Sequence, residues 1–337
     1  MGLHGRGGHR VHAHRRRRPP AGQAPGPRAH RHHRPGRWRR RRLVTAGPEN
    51  FRLLAQGVTG HGKTHGQDSH AAFHGPGGAV VLAVADGHGA ARHFRSDLGS
   101  RWATEEFAVC ARHFLARAHG DAAGGRGRQA VGAPAGLPVL RELARDLPRR
   151  LVHGWRQRVA RHEASSPAHG RGGQPPAFDV YGSTVLGAVL TPELLVCWQL
   201  GDGDVTLVWE DGPPHAPLYA GQDLGDETES LCQPEAWPRV RVHWQPLTGG
   251  GPPPAVLLST DGLSKSFADR DGFLSFARGV RDRAAAEGTD RVQDKLADWL
   301  GHAATHSGDD TTLVGAIPVP GRATGHEHDR SDEGNGA

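Results

Sequence analysis

The chain has 337 residues, a length that fits one large domain or two small ones, and 36% of them are hydrophobic beside 49 glycines and 25 prolines. Its formal net charge of +7 is uneven, because residues 1–42 hold 14 arginines and no acid, which leaves 28 basic against 35 acidic residues in the remainder. This acidic body argues against a nucleic-acid-binding fold, and no apolar run approaches the roughly 18 residues that span a membrane.

The two ends of the chain differ in composition from the middle. Residues 1–42 are rich in Arg, His, Gly and Pro and cannot bury enough apolar surface to offset the entropy lost on ordering. We therefore expect a disordered tail or a start site placed too far upstream. The alternative is weak attachment to anions such as RNA through the basic side chains. Residues 43–320 are expected to fold as one domain, and residues 321–337 to form a second disordered tail.

The three cysteines give an indication of the cellular compartment. Cys110, Cys197 and Cys232 are isolated from one another in sequence, so neither a zinc site nor a disulfide framework is supported. The N-terminus carries charge but no following apolar core, which argues against a secretory signal. These observations favour incidental thiols in a reducing, cytoplasmic protein.

Strands and helices are predicted in separate blocks. Strands at 51–60 and 71–85 come first, and two helices at 90–118 and 139–162 follow, because apolar residues there recur at spacings of three and four. Pro148 is expected to kink or restart the second helix.

A second block of strands fills the later part of the chain. Apolar runs predict strands at 184–190, 194–200, 204–210, 240–244, 255–259 and 311–318, with a helix at 290–304 and an irregular surface flap at 211–236. Because the first two helices form a pair between blocks of strands, the order favours an α+β fold of antiparallel sheets covered by helices.

Acidic residues recur at the ends of these apolar runs. They are Asp68, Asp86, Asp202, Asp261 and Asp309. Each taken alone is an ordinary turn residue, since Asp-Gly suits turns. Together they suggest a metal site, because clustered carboxylates repel one another unless a cation neutralises them. Two divalent cations roughly 4 Å apart would also activate a bridging water, a chemistry suited to phosphate esters.

The motifs around these acids resemble, in order and context, those of the metal-dependent protein phosphatases of type 2C, the PPM class. The matching segments are Gly66-Gln67-Asp68, Val84-Ala85-Asp86-Gly87-His88-Gly89, Gly182-Ser183-Thr184, Leu200-Gly201-Asp202-Gly203-Asp204, Leu258-Ser259-Thr260-Asp261-Gly262-Leu263 and Asp309-Asp310-Thr311-Thr312. The resemblance covers about residues 50–317. It departs from the family at Gln67, at the last two positions of the Asp202 turn, and at Asp310, where the family has Asn.

The resemblance implies a four-layer α-β-β-α sandwich of two antiparallel sheets flanked by helices, with two Mn²⁺ or Mg²⁺ ions at one end. Asp86 would bridge both ions, and the Gly87 carbonyl would bind one of them. Asp261 and Asp309 would bind the other, and Asp68 would lie close by, partly through water. A hydroxide bridging the ions would attack phosphorus.

The resemblance also implies roles for three residues around the metals. His88 would protonate the leaving serine or threonine oxygen, although a rim histidine with no such role is the alternative. Lys63 occupies the position of the family's phosphate-binding Arg, and a solvated loop lysine is its alternative. Many relatives bind a third ion through acids of the flap, for which Asp223 is the candidate. Asp202 is expected to support the turn rather than bind metal.

These expectations combine into a cytoplasmic, bacterial-type protein serine/threonine phosphatase. Its partners would be phosphoprotein substrates and a Ser/Thr kinase or the targets of that kinase, with no membrane association. One alternative is a pseudophosphatase that binds phosphoproteins without turnover. The other is an anion-binding protein that acts through the basic tail at 1–42.

Overall fold

A computed structural model of the protein describes residues 50–120, 137–168, 175–219, 228–247 and 252–319. The tails predicted at 1–42 and 321–337 lie outside the described residues, as does Asp223. The domain limits at 43 and 320 therefore stay predictions.

Nine strands and six α-helices occur within the described residues. The strands are β1 Phe51–Val58, β2 Ser69–His74, β3 Val80–Ala85, β4 Val185–Leu190, β5 Leu194–Leu200, β6 Asp204–Val208, β7 Arg241–Pro246, β8 Ala255–Ser259 and β9 Thr311–Pro318. The helices are α1 Ser96–Gly120, α2 Leu137–Ser165, α3 Ala236–Arg239, α4 Asp261–Ser264, α5 Arg270–Glu287 and α6 Thr289–Ser307.

The strands form two sheets in which every pairing is antiparallel. One sheet has the order β1-β9-β8-β6, and the other has the order β2-β3-β4-β5-β7. The α+β class and the two antiparallel sheets predicted from the sequence are confirmed.

Three apolar clusters hold the layers together. One lies between α1, α2 and the five-stranded sheet, the second lies between the sheets, and the third lies between the four-stranded sheet and helices α5 and α6. Strand β3 serves two of them, since Val81 and Ala83 belong to the helix-side cluster and Leu82 and Val84 to the cluster between the sheets. Burial on both faces explains why this strand is a continuous apolar run rather than an alternating one. The result is the four-layer α-β-β-α sandwich.

The predicted strand at 71–85 is wrong as a single element. A turn at Pro76–Gly78, in which Gly77 and Gly78 have φ angles of 67° and 78°, divides it into the antiparallel pair β2 and β3. Only glycine adopts such angles without strain, so the Pro-Gly-Gly sequence is itself the signal for the turn.

The helices also differ from their predictions. The helix expected from residue 90 begins at Ser96, after a 3₁₀ turn at Ala91–His93. Helix α2 continues through Pro148 rather than restarting there. Helix α5 was not predicted from the sequence, because alanines such as Ala277 and Ala284 form much of its buried face.

None of the helices in the described part of the chain is both long and apolar enough to cross a bilayer. The cytoplasmic location stays a prediction.

Candidate active site

The antiparallel register gathers several strand ends at one end of the sandwich. Val58 pairs with Thr311, Ser69 with Ala85, and Asp204 with Ser259. Each of these pairs is the last at its end of a ladder, and every acid predicted at the end of an apolar run lies within two residues of one of them. A cavity of about 350 Å³ opens there, and its lining includes Asp86, His88, Asp202, Asp261 and Asp309. The structure thus brings these sequence-predicted residues together.

The backbone around Asp86 and Gly87 is fixed on both sides. The Asp86 amide donates to Thr184 Oγ1 at 3.0 Å, and the Thr184 amide donates to the Asp86 carbonyl at 2.9 Å. A Cβ atom at Gly87 would lie 2.7 Å from the carbonyl oxygens of both Gln67 and Ser96. Glycine is therefore required after Asp86, because any side chain would collide with backbone.

Burial and neighbouring negative charges both raise the pKa values of Asp86 and Asp68. Burial, followed by the charges of Asp68, Asp261 and Asp309, raises the pKa of Asp86 well above its usual range. Burial also raises the pKa of Asp68 to about 7, although Thr260 donates a 2.8 Å hydrogen bond to its Oδ2. A cation bound between them would stabilise the charged form of carboxylates that are buried close to one another.

Asp261 opens the short helix α4 and carries a lysine one turn later. The Lys265 amide donates to the Asp261 carbonyl at 2.8 Å, and the Lys265 ammonium group pairs with Asp261 Oδ2. Burial lowers the pKa of Lys265, but the carboxylates of Asp261, Asp202 and Asp309 outweigh it and raise that pKa overall. The Lys265 ammonium therefore lies within the field of three acids of the site.

Asp309 and Asp310 form the turn into β9 and hold the loop that carries Lys63. The Lys63 ammonium pairs with Asp309 Oδ1 and lies 3.4 Å from Asp310 Oδ2. Asp310 also accepts hydrogen bonds from the amides of Gly60 at 2.8 Å and Gln67 at 2.6 Å. The acid that departs from the family's Asn therefore anchors both ends of the Lys63 loop.

The donor set suits hard divalent cations. Asp68 Oδ1 and Asp261 Oδ1 are buried and have no hydrogen-bond partner, and carboxylate oxygens are the ligands that Mg²⁺ and Mn²⁺ favour. Within the described residues, however, no three His, Cys, Asp or Glu side chains converge closely enough to hold an ion as they stand. The ammonium groups of Lys63 and Lys265 occupy oxygens of two of these acids instead.

His88 is held by its backbone at the rim of the cavity. Its amide donates to the Gly182 carbonyl at 3.1 Å, and its carbonyl accepts from Gln67 Nε2 at 3.1 Å. Its ring lies 4.9 Å from the ring of His93, and a Cβ atom at Gly182 would lie 2.5 Å from His88 Cδ2. Gly182 therefore leaves the space that the His88 ring fills.

Asp202 contacts a described residue of the flap region predicted at 211–236. Its Oδ2 accepts a 3.1 Å hydrogen bond from Thr228, and partial burial, followed by the charge of Asp261, raises its pKa to about 6. The supporting role expected for Asp202 from the sequence stays a prediction.

Two contributions to the site were missed by the sequence argument. Lys265 lines the cavity, and Asp310 organises the Lys63 loop. A signal for Lys265 existed, because it lies four residues after Asp261 and is one of only three lysines in the chain.

Comparisons with known proteins agree with the fold. The family model described as Protein phosphatase 2C matches residues 60–301. The serine/threonine phosphatase of S. agalactiae is 14% identical and has a TM-score of 0.51, with 79% of this chain and 99% of that chain covered. PppA of Pseudomonas aeruginosa, described as a key regulatory component of T6SS, is 16% identical with a TM-score of 0.50 and coverage of 80% and 98%. No curated protein matches the sequence.

Proposed function

Because the chain belongs to the protein phosphatase 2C family of metal-dependent phosphoprotein phosphatases, we propose that it hydrolyses phosphoserine and phosphothreonine with two divalent cations at the end of the sandwich. The observation that carries this proposal is the convergence of Asp86, Asp261 and Asp309 on one cavity beside His88. The substrate is a phosphoprotein, and the enzyme would oppose a Ser/Thr kinase.

Each acid has a distinct part in holding the cations. Asp86, with its buried carboxylate, would contact both ions, and Gly87 would offer its carbonyl to one. Asp261 and Asp309 would serve the other ion, and Asp68 would support it through its unpartnered Oδ1. When bound, the two ions supply an activated water nucleophile and neutralise charge on the phosphate.

His88 would act as the general acid. Imidazole titrates near neutrality, so it can donate a proton to the departing serine or threonine oxygen. The backbone hydrogen bonds to Gly182 and Gln67 keep this ring at the cavity rim, where the leaving group would be. His88→Gln should therefore lower kcat more for a phosphopeptide than for an aryl phosphate, because the aryl leaving group needs no proton.

Lys63 would add positive charge at the same end of the sandwich. Its ammonium group contacts Asp309 and Asp310. Because it is an ammonium rather than a guanidinium, it would attract the phosphate as a point charge and not by a bidentate fork. We expect Lys63→Ala to raise KM for phosphate esters, and an unchanged KM would remove Lys63 from the site.

The deciding experiment measures hydrolysis of p-nitrophenyl phosphate and a phosphothreonine peptide by the full chain. The protein is stripped with a chelator and assayed with and without Mn²⁺, beside Asp86→Asn. We expect activity only with Mn²⁺ and a loss of at least about 100-fold in the variant, because a ligand to both ions is weakened.

Asp146→Asn is the matched control. Asp146 is exposed on α2 and pairs with Arg150, far in sequence from every acid of the site. Near-normal turnover by Asp86→Asn would contradict the two-metal assignment. A folded wild-type chain that binds phosphopeptide but never hydrolyses it would instead support the pseudophosphatase alternative.

A further inference from the structure

The distribution of lysine sets one part of this molecule apart. Of 42 basic residues other than histidine, 39 are arginine and only Lys63, Lys265 and Lys295 are lysine. Two of the three lysines contact acids of the proposed site. The third, Lys295, pairs with Glu287 at 3.0 Å on the exposed side of α6.

The choice of lysine at these positions has a chemical meaning. A guanidinium forms a rigid two-pronged pair with a carboxylate, whereas an ammonium is a compact, well-hydrated charge on a flexible stem. In a chain that uses arginine almost everywhere else, lysine at the acids supplies a cation that can leave its partner.

Lys265 is the lysine that faces the open cavity. It lines the cavity together with Asp86, His88 and Asp261, and about half of its side chain is exposed. Lys63 is not among the described residues that line the cavity. The backbone of Lys265 is fixed by its hydrogen bond to the Asp261 carbonyl, so the cavity stays within reach of its ammonium.

We propose that Lys265 is a phosphate-binding residue of this enzyme, which neutralises Asp261 until a divalent cation takes that carboxylate and then contacts an oxygen of the substrate phosphate. A divalent cation at the unpartnered Asp261 Oδ1 would bring a second positive charge to the carboxylate that holds the Lys265 ammonium at Oδ2, and the two charges repel each other. A phosphate monoester in the cavity is then the nearest free anion. This inference rests on the proposed function.

The proposal predicts opposite effects on two ligands. Without the ammonium group, Asp261 is free for metal, so Mn²⁺ should bind more tightly. Phosphate should bind more weakly, because a charge-assisted hydrogen bond is lost. A residue that only maintains the shape of the site would weaken both ligands or neither.

The test compares the full-length wild type with Lys265→Met and with Lys295→Met as the matched control. Titration calorimetry of the chelator-stripped proteins gives the Mn²⁺ affinity. Inhibition of p-nitrophenyl phosphate hydrolysis at saturating Mn²⁺ gives the affinity for inorganic phosphate, and circular dichroism checks the fold.

For Lys265→Met we expect Mn²⁺ to bind about twofold to fivefold more tightly, the range for releasing a partly exposed ion pair. We expect inorganic phosphate to inhibit about tenfold less well. Lys295→Met should match the wild type in both measurements.

Two results would overturn this inference and leave the proposed function standing. One is phosphate inhibition of Lys265→Met equal to that of the wild type, and the other is weaker binding of both Mn²⁺ and phosphate by that variant. A wild-type chain that neither binds Mn²⁺ nor depends on it would overturn the proposed function and this inference together, so the two failures are distinguishable.

Discussion

Between the two sheets, apolar side chains from both sheets pack against one another, and those of Leu82, Leu186 and Leu258 are fully buried. At the end of the same sandwich, carboxylates are buried beside one another, and oxygens of Asp68 and Asp261 have no hydrogen-bond partner. Burial stabilises the first region and destabilises the second unless a cation is present. The fold therefore uses the packed region to maintain a site that is unfavourable on its own.

The largest effect should come from the packed region. Leu82→Ala removes a fully buried side chain from the middle of β3 and should lower the free energy of unfolding by about 3 kcal/mol. Urea unfolding followed by tryptophan fluorescence measures this loss. If the variant keeps wild-type stability, the sheets do not pack as closely as described, and the contrast between the two regions fails.

A smaller effect of opposite sign is expected at the site. Asp68→Asn retains an oxygen for the Thr260 hydrogen bond and replaces an unpartnered, charged oxygen with a neutral amide. Without metal, the variant should be more stable than the wild type by on the order of 1 kcal/mol, because one buried charge is removed from a cluster of like charges. Chelator-treated proteins compared by urea unfolding at pH 8 test this.

Adding Mn²⁺ should reverse the order of stability of the wild type and Asp68→Asn. The wild type should gain more stability from the ion than Asp68→Asn, because a ligand that binds only the folded state stabilises it by an amount that rises with the logarithm of its affinity. A variant that is less stable than the wild type under both conditions would show that Asp68 has a structural role instead.

An effect of similar size, which fades at low pH, is expected at Glu163, an acid that is buried together with hydrogen-bond partners. It accepts hydrogen bonds from Arg95 at 2.7 Å and from the Tyr181 hydroxyl at 2.6 Å. Burial raises the pKa of Glu163, but the bonds from Tyr181 and the Ala168 amide and the charge of Arg95 outweigh it, so the pKa is lowered.

The pH dependence follows from that direction. A lowered pKa in the folded state means that Glu163 contributes stability above its unfolded value of 4.5, and that this contribution is lost as the pH falls through the lower folded value. Glu163→Gln should cost about 1 kcal/mol at pH 7 and progressively less below pH 4.5. Thermal unfolding of both proteins across this pH range is the measurement, and a difference that is independent of pH would contradict it.

Much of the fold could be predicted because its strands are uninterrupted apolar runs between turn residues. The bounds of β5, β8 and β9 agree with the sequence for this reason. The division of β2 from β3 was missed although Pro76–Gly78 carries the signal, because apolar residues lie on both sides of the turn. Helix α5 was missed although its buried residues at 273, 277, 280 and 284 recur at helical spacing, because two of the four are alanines that add little apolar surface.

In the candidate site, too, some features could be predicted from the sequence and others could not. Its acids could be located because each lies within two residues of a strand end, and antiparallel pairing brings those ends together. The pair of Lys265 with Asp261 was missed although it is local, since the two residues lie four apart in sequence. The contacts of Asp310 could not be derived from the sequence, because they join the loop at Lys63 to the entry to β9 across 250 residues.

The place of β1 in its sheet has a consequence for synthesis of the protein on the ribosome. Among the described strands, β1 is hydrogen-bonded only to β9, the last strand of the fold, and 252 residues separate Val58 from Thr311. The first strand to emerge therefore keeps an unpaired edge until the last one is made, and such edges invite association with other chains. Since Asp309 enters with β9, a nascent chain should gain catalytic activity only when this final strand docks.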